Sequence, residues 1–241
     1  MLQQTVRDYL ALSSLDSYET SARGGSAAPK GVIFHILPDN AADVSVLDIG
    51  FGAGSLGLAI KSNPSTSHWI VDGIDGFSPN CNNRRLVEQQ AYRNIWYGYA
   101  QEIPAEYLAR YKIICLLDVI EHLTMDTAKW LLRTLLTVLG EEAFLFISTP
   151  LWFYPQGNIQ TGDLEEHLIG VPATSMMALN PKMYSVDGSQ LVGGFVYDKK
   201  SLPFVDFFQP TADKSFTYEK GLVIAKAINL RCDAGTVYVV R

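Results

Sequence analysis

The stretch VSVLDIGFGAGSLG, from Val44 to Gly57, constrains the fold more than any other part of the chain. It begins with a short apolar run rich in β-branched residues (Val44, Val46, Leu47, Ile49), the length and make-up of a buried parallel strand. Glycines follow at Gly50, Gly52, Gly54 and Gly57. Such density implies a sharp turn and the close approach of something to the backbone, because glycine combines ready positive φ with the lack of a Cβ. SLGLAIKS then resumes a helical pattern, so the order is strand, glycine loop, helix. A ligand at such a loop sits against a helix N-terminus, where free N–H groups and the dipole favour negative or electron-rich atoms.

Two ligand classes fit this loop. Gly52, Gly54 and Gly57 satisfy the G-x-G-x-x-G spacing of dinucleotide sites, a pattern of low specificity by itself, which would make the chain an NAD-dependent oxidoreductase. Asp48, Gly50, Gly52 and Gly54 satisfy D-x-G-x-G-x-G, the pattern of S-adenosylmethionine (SAM) methyltransferases. The second pattern adds a carboxylate at the strand tip, where a dinucleotide would bring its own pyrophosphate. SAM carries an ammonium and a sulfonium and no phosphate, so a carboxylate there suits it better.

With 241 residues the chain has room for one sizeable α/β domain and a modest addition, but not for two full domains. Its 48% hydrophobic and 18% charged residues are those of a globular protein, and no apolar run approaches the roughly 20 residues that span a bilayer. MLQQTVRDYLALSS lacks the basic start and apolar stretch of a signal peptide, so a cytoplasmic protein with no membrane partner is expected. A net charge of −6 and a pI near 5.2 weigh against a nucleic-acid partner, which needs clustered Lys and Arg. Cys81, Cys115 and Cys232 are far apart and odd in number, which reads as reduced thiols.

From the N-terminus, Leu2, Val6 and Leu10 fall on one helical face, and residues 13–30 break the pattern with Ser, Gly, Ala and Pro29. Residues 1–30 are therefore read as a helix followed by a linker, or by a lid that brings Tyr18 or Arg23 to the substrate, ahead of a single domain over 31–241. A helix over 31–37 leads into the first strand. HWIVDGID is the second strand, with Asp75 at its carboxyl end, 21 residues past Gly54, where an acidic side chain can accept both hydroxyls of a ribose. Asp72 competes for this role. A helix capped at Ser78, with Pro79 in its first turn, is expected to run to about Tyr92. NIWYGYA is the third strand, and Gln101 and Glu102 follow it where an adenine ring would lie. KIICLLDVIEHL supplies a buried fourth strand ending at Asp118, with Glu121 and His122 in the loop after it. Ligands of open parallel sheets bind outside the carboxyl ends of the strands, and Asp48, Asp75 and Asp118 all stand at such ends. Three carboxylates at one crevice raise one another's pKa unless a cation joins them, and SAM supplies that charge.

VLDIGFGAG, VDGID and LLDVIEHL, in this order, resemble the motif set of class I SAM-dependent methyltransferases over about residues 44–150. DVIEHL is especially similar to the branch that holds the ubiquinone-biosynthesis O-methyltransferases and many bacterial relatives. The resemblance implies an open, doubly wound, Rossmann-like sheet of seven mostly parallel strands, the last antiparallel, with a small substrate-side insertion. It further implies that Gly50, Phe51, Gly52 and Gly54 line the methionyl part of SAM, that Asp75 and Gly76 hold the ribose, that Gln101 flanks adenine, and that Asp118 and Val119 lie at the amino group. Asp48 would orient the loop and the ammonium. The segment YAQE lacks the Asp common after the third strand of such proteins, and Glu102 is the expected substitute.

TMDTAKWLLRTLLTVLG reads as a helix with Thr124 as N-cap, an apolar face through Trp130, Leu131, Leu135 and Val138, and Gly140 as its stop. EEAFLFISTP is the fifth strand. Residues 151–188 and 201–220 are read as substrate-side or interface insertions, the second carrying Phe204, Phe207, Phe208 and Phe216 for a site wall or a homodimer contact. Trp152, Phe153 and Tyr154 suit either a planar acceptor or a packed core. STP, PQGN and EHL are similar to bacterial proteins of the same branch, which extends the resemblance to about residue 170. His167 is the first choice for a general base and His122 the second, with a structural histidine as the plain alternative for each. MYSVDGSQLVGGFVYD and GLVIAKAINL are taken as the sixth and seventh strands and TVYVVR as an extra edge strand.

The expected chemistry is direct transfer of a methyl group from SAM to an oxygen, less readily a nitrogen, of a small-molecule acceptor. In-line alignment, exclusion of water and one base suffice for this, so no metal is expected. The sequence also lacks a concentrated set of His and carboxylates of the metal-binding kind. A SAM-binding scaffold without turnover is the rival from outside the enzymes.

Overall fold

The computed structural model describes residues 30–38, 41–158 and 161–240. The helix and lid expected over residues 1–30 lie outside the described residues, apart from Lys30. Among the described residues, eight strands form one sheet: β1 (Ser45–Ile49), β2 (Ile70–Asp75), β3 (Asn94–Tyr97), β4 (Ile113–Leu117), β5 (Phe144–Pro150), β6 (Met183–Asp187), β7 (Val192–Tyr197) and β8 (Tyr238–Val239). Their spatial order is β3-β2-β1-β4-β5-β7-β6-β8. Strands β1 to β5 pair in parallel. β7 runs antiparallel between β5 and β6, and β8 is antiparallel on the β6 edge. Strand order reverses between β1 and β4, which places a binding crevice over the carboxyl ends of those two strands.

The helices are α1 (Ser55–Ser62), α2 (Ser78–Cys81), α3 (Arg84–Glu88), α4 (Ala105–Leu108), α5 (Met125–Val138), α6 (Ala173–Ala178) and α7 (Tyr218–Ala227). Alternate strand residues feed two separate apolar cores, as a doubly wound sheet requires. Val46, Val71, Ile95, Ile113 and Cys115 pack with Leu56 and Ile60 of α1. Leu47, Ile49, Ile114, Leu116, Leu145 and Ile147 pack with α5 on the opposite face. α5 buries Leu131, Leu132, Leu135 and Leu136 at 3.6-residue spacing, each contributing roughly 1.5–3 kcal/mol. Trp130, expected on that face, is instead 47% exposed. No helix among the described residues is long and apolar enough to cross a membrane.

Three expectations are corrected. MYSVDGSQLVGGFVYD is a hairpin, β6 and β7, rather than one strand, because Asp187-Gly188 starts a turn whose Asp187 carboxylate accepts the Ser189 N–H at 2.8 Å. GLVIAKAINL lies in helix α7 and its C-terminal cap: Gly221 and Ala225 are buried at i, i+4 spacing while Val223 is 67% exposed, which excludes a buried strand. The sheet thus has eight strands instead of seven, the eighth being the edge strand foreseen in TVYVVR. The helix after β2 is split into α2 and α3 at Asn83, whose side chain caps α3 by accepting the Arg85 N–H.

Candidate active site

The glycine loop is built from beneath. Gly50, Gly52 and Gly54 all have positive φ, at 69°, 54° and 74°. A Cβ on Gly50 would lie 2.6 Å from Val119 and one on Gly54 2.3 Å from Leu86, so both positions demand glycine for packing as well as for backbone angle. Gly52 is different: its Cβ would meet nothing within 4 Å, and it borders a cavity of about 930 Å³ over the carboxyl ends of the strands. That volume is near the upper end of ordinary ligand pockets, roughly 300–1,000 Å³.

Asp48 and Gly54, expected to touch a cofactor, do not line this cavity. The Asp48 carboxylate is buried behind the loop, where it accepts the Tyr92 hydroxyl at 2.7 Å, and that hydroxyl in turn accepts the Gly57 N–H at 3.3 Å. Burial pushes the Asp48 carboxyl up to about 6, against the opposing pull of the Tyr92 hydrogen bond and the Lys30 charge. Asp48 therefore braces β1 against α1 through Tyr92. Tyr92 was not foreseen, because nothing in its neighbourhood marks it apart from other aromatics.

Asp75 does border the cavity, but its carboxylate is already engaged. It accepts the N–H of Phe77 at 2.8 Å, the N–H of Gly52 at 2.9 Å and the Asn80 amide at 3.2 Å. Burial pushes this carboxyl also up to about 6. Asp75 thus ties the tip of β2 to the glycine loop, and of its oxygens Oδ1 has the more room for a further donor. Asp72 is fully buried against Arg93, Asn94 and Tyr111 and stands away from the cavity. Phe51, Gly76 and Gln101 line the cavity. Glu102 does not, because its carboxylate folds back to accept the Tyr99 N–H at 2.8 Å, leaving Tyr99, Ala100 and Gln101 as the wall on that side.

Asp118 and Val119 occupy the tip of β4, in the cavity wall. Asp118 has φ 55°, uncommon for a residue with a side chain, and its Oδ1 accepts the Ser148 hydroxyl at 2.9 Å. Three residues on, the Glu121 main-chain carbonyl accepts the N–H groups of Leu168 and Ile169 at 2.8 and 3.2 Å. These two bonds dock the segment 165–169 onto the turn after β4 and set His167 beside His122, with ring centroids 4.6 Å apart. The two imidazoles are pinned alike: His122 Nδ1 faces the Glu166 carbonyl at 3.2 Å and His167 Nδ1 faces the Tyr154 carbonyl at 2.7 Å. A carbonyl only accepts, so each Nδ1 carries the proton and each Nε2 carries a lone pair.

Ligand atoms of Glu121, His122 and His167 lie within 4.8 Å of one another. This corrects the expectation that the chain lacks a concentrated His and carboxylate set. Burial pushes His167 down to about 4 and lowers His122, so both rings are neutral. Burial, reinforced by the Asp118 charge, raises the Glu121 carboxyl well above its usual range, and its Oε2 accepts the Thr149 hydroxyl at 3.0 Å. Two neutral imidazoles oriented by backbone carbonyls and one hydrogen-bonded carboxylate are the donor set that suits a divalent cation. The same burial that keeps the imidazoles neutral makes them weak proton acceptors, which tells against either acting alone as a strong base.

The far wall comes from the segment after β5. Trp152, Tyr154 and Tyr218 line the cavity, and Trp152 meets Tyr154 and Tyr218 edge-on at 5.2 and 5.6 Å. Phe153 points the other way and is 4% exposed, so the aromatic triplet divides between site and core. Of residues 201–220 only Tyr218 reaches the cavity; the remainder supplies the 3-10 turns Lys199–Phe207, packed on α5, and the buried Phe208 and Phe216.

No protein-family model and no curated protein sequence matches this chain. Solved structures do. The small RNA methyltransferase HEN1 superposes with a TM-score of 0.50 at 16% identity, over 69% of this chain and 24% of its own. The N-terminal domain of EvdMO1, solved with S-adenosylhomocysteine (SAH) and D-fucose, gives 0.48 at 14% identity, over 78% of this chain and 91% of its own. An O-methyltransferase family protein from Burkholderia thailandensis gives 0.48 at 9% identity over 69% of this chain, which spans 55% of that protein's length. At such identities the likeness speaks for the fold alone, and the fold is the Rossmann-like α/β sheet, mostly parallel with its last strands reversed, that the HEN1 methyltransferase shares.

Proposed function

We propose that the chain is a SAM-dependent methyltransferase that passes the methyl group to an oxygen of a small-molecule acceptor. The observation that carries this reading is the acidity of the cavity: Asp75, Asp118 and Glu165 line it, beside Glu121, whose burial favours its neutral form, with Lys30 as the lysine or arginine among the described lining residues. A pyrophosphate-bearing coenzyme would meet repulsion there, whereas a nucleoside with an ammonium and a sulfonium is attracted. The Gly52 edge, open to the cavity, and the Asp75, Tyr99 and Gln101 wall suit the nucleoside half. Trp152, Tyr154, Tyr218 and the two histidines suit the acceptor half, and this second compartment tells against a scaffold that only stores the cofactor.

Methyl transfer from sulfonium to oxygen needs the nucleophile, methyl and sulfur in line, in a space closed to water. In this reading the glycine loop and Asp118 fix the sulfonium end, the aromatic wall orients the acceptor, and His167 Nε2 receives the acceptor's proton with His122 beside it. A divalent cation held by Glu121, His122 and His167 would occupy the same Nε2 lone pair, and would then act in place of the histidine base by lowering the pKa of the acceptor hydroxyl. Titration calorimetry with SAH and with NAD tests the cofactor, and mass spectrometry of hydroxylated small molecules incubated with SAM and enzyme tests the transfer. Tight NAD binding with no heat from SAH sinks the proposal.

A further inference from the structure

Lys30 lines the cavity together with Asp75, Asp118, Glu121 and Glu165, and the carboxylate it meets is that of Asp118. It stands just ahead of the 3-10 turn Gly31–His35, whose Val32 and Ile33 are fully buried in the core beneath α1. Its side chain is 19% exposed, and Nζ lies 3.5 Å from Asp118 Oδ2 and 3.5 Å from the hydroxyl of Ser55, the first residue of α1. Both contacts are long. Asp118 Oδ2 is buried and has no hydrogen-bond partner, while Oδ1 of the same carboxylate is satisfied by Ser148. A buried carboxylate oxygen without a donor is costly and uncommon, so the site is shaped for a closer donor than Lys30 supplies.

A zwitterionic amino acid would complete this arrangement. Its ammonium fits the open Asp118 oxygen and its carboxylate fits the lysine, so one loose pair becomes two close ones of alternating sign. We propose that Lys30 determines specificity for the amino-acid end of the cofactor, ceding Asp118 to the ligand's α-ammonium and pairing with its α-carboxylate beside Ser55. This rests on the SAM reading above. Lys30 is a ligand-binding residue in this scheme and takes no part in the methyl transfer.

Calorimetry on the full chain with two probes separates the possibilities: SAH, which carries the amino acid, and 5′-methylthioadenosine, which lacks it. The Lys30→Met variant weakens SAH on the order of 10- to 100-fold, the worth of one charge-assisted pair, and leaves 5′-methylthioadenosine within about twofold. Lys30→Arg restores most of the SAH affinity. Retained binding of 5′-methylthioadenosine also reports that the variant is folded. Equal losses for both probes, or unchanged SAH binding in Lys30→Met, overturn the role of Lys30 while leaving the cofactor reading intact. Failure of the unmodified protein to bind SAH overturns both.

Discussion

Replacing Asp48 by asparagine isolates the electrostatic stress beneath the glycine loop. Asp48 is 2% exposed, and its carboxyl is pushed from 3.8 up to about 6, chiefly by burial. An acid whose folded pKa exceeds its unfolded one binds more protons in the folded state. Its contribution to stability is therefore fully present below the unfolded value and is lost as pH rises through about 6. At about 1.36 kcal/mol per pKa unit the loss is about 3 kcal/mol at neutral pH, roughly half of it between pH 5 and 7.5. Asparagine has the same shape, keeps an acceptor for the Tyr92 hydroxyl and does not titrate. Urea unfolding of D48N and the unmodified protein across this range should show their stability difference move in the variant's favour by about 1.5 kcal/mol, or a Tm difference of roughly 3–6 °C. The comparison cancels His167, whose depressed pKa acts oppositely: its contribution is present above the unfolded value of 6.5 and is lost as pH falls toward about 4. Parallel pH profiles for the two proteins refute the argument. SAH affinity in D48N should stay within about threefold, under 1 kcal/mol, since Asp48 stands behind the loop rather than in the cavity.

Two glycines of the same loop should separate packing from binding. Gly54→Ala forces a Cβ to 2.3 Å from Leu86 at φ 74° and should lower stability by about 2–3 kcal/mol in thermal melts. Gly52→Ala, at φ 54° with open space in front, should cost only about 1 kcal/mol of stability yet obstruct SAH in calorimetry. Titration with Mn²⁺ or Zn²⁺ should show one site per chain, and His122→Ala or His167→Ala should each weaken it at least about tenfold. Unaltered affinity in both variants would place any bound cation elsewhere.

The parts legible in the sequence are those fixed by neighbours in the chain. Val46 to Gly57 announces strand, loop and helix by apolar run and glycine spacing; Asp75 ends its strand where the pattern says it does, and Asp118 is the first residue past the end of its own. The reversals come where local signals conflict. Leu222, Val223 and Ile224 have strand character, but Gly221 allows close approach to the Leu151 carbonyl and the segment packs as a helix. The histidine pair was hidden for another reason. His122 and His167 are more than forty residues apart, and they meet only because the Glu121 carbonyl captures Leu168 and Ile169. Lys30 gave no signal at all, standing next to a Ser, Gly and Ala stretch that reads as linker.

The acidity of the cavity also bears on the acceptor. With Glu165 on the wall beside Gln156 and His167, and Lys30 committed to the cofactor's carboxylate, no lysine or arginine among the described lining residues is left for an anionic acceptor. A neutral or cationic hydroxylated molecule should therefore be methylated in preference to a carboxylated or phosphorylated analogue of the same size, and RNA should be a poor acceptor. Repulsion of this kind is screened by salt, over about 8 Å at physiological ionic strength. In a matched pair of acceptors, raising the salt should narrow the difference in kcat/KM by improving the anionic member. An anionic acceptor that is preferred at low salt, and loses that preference as salt rises, would require basic side chains at the mouth beyond those the described residues supply.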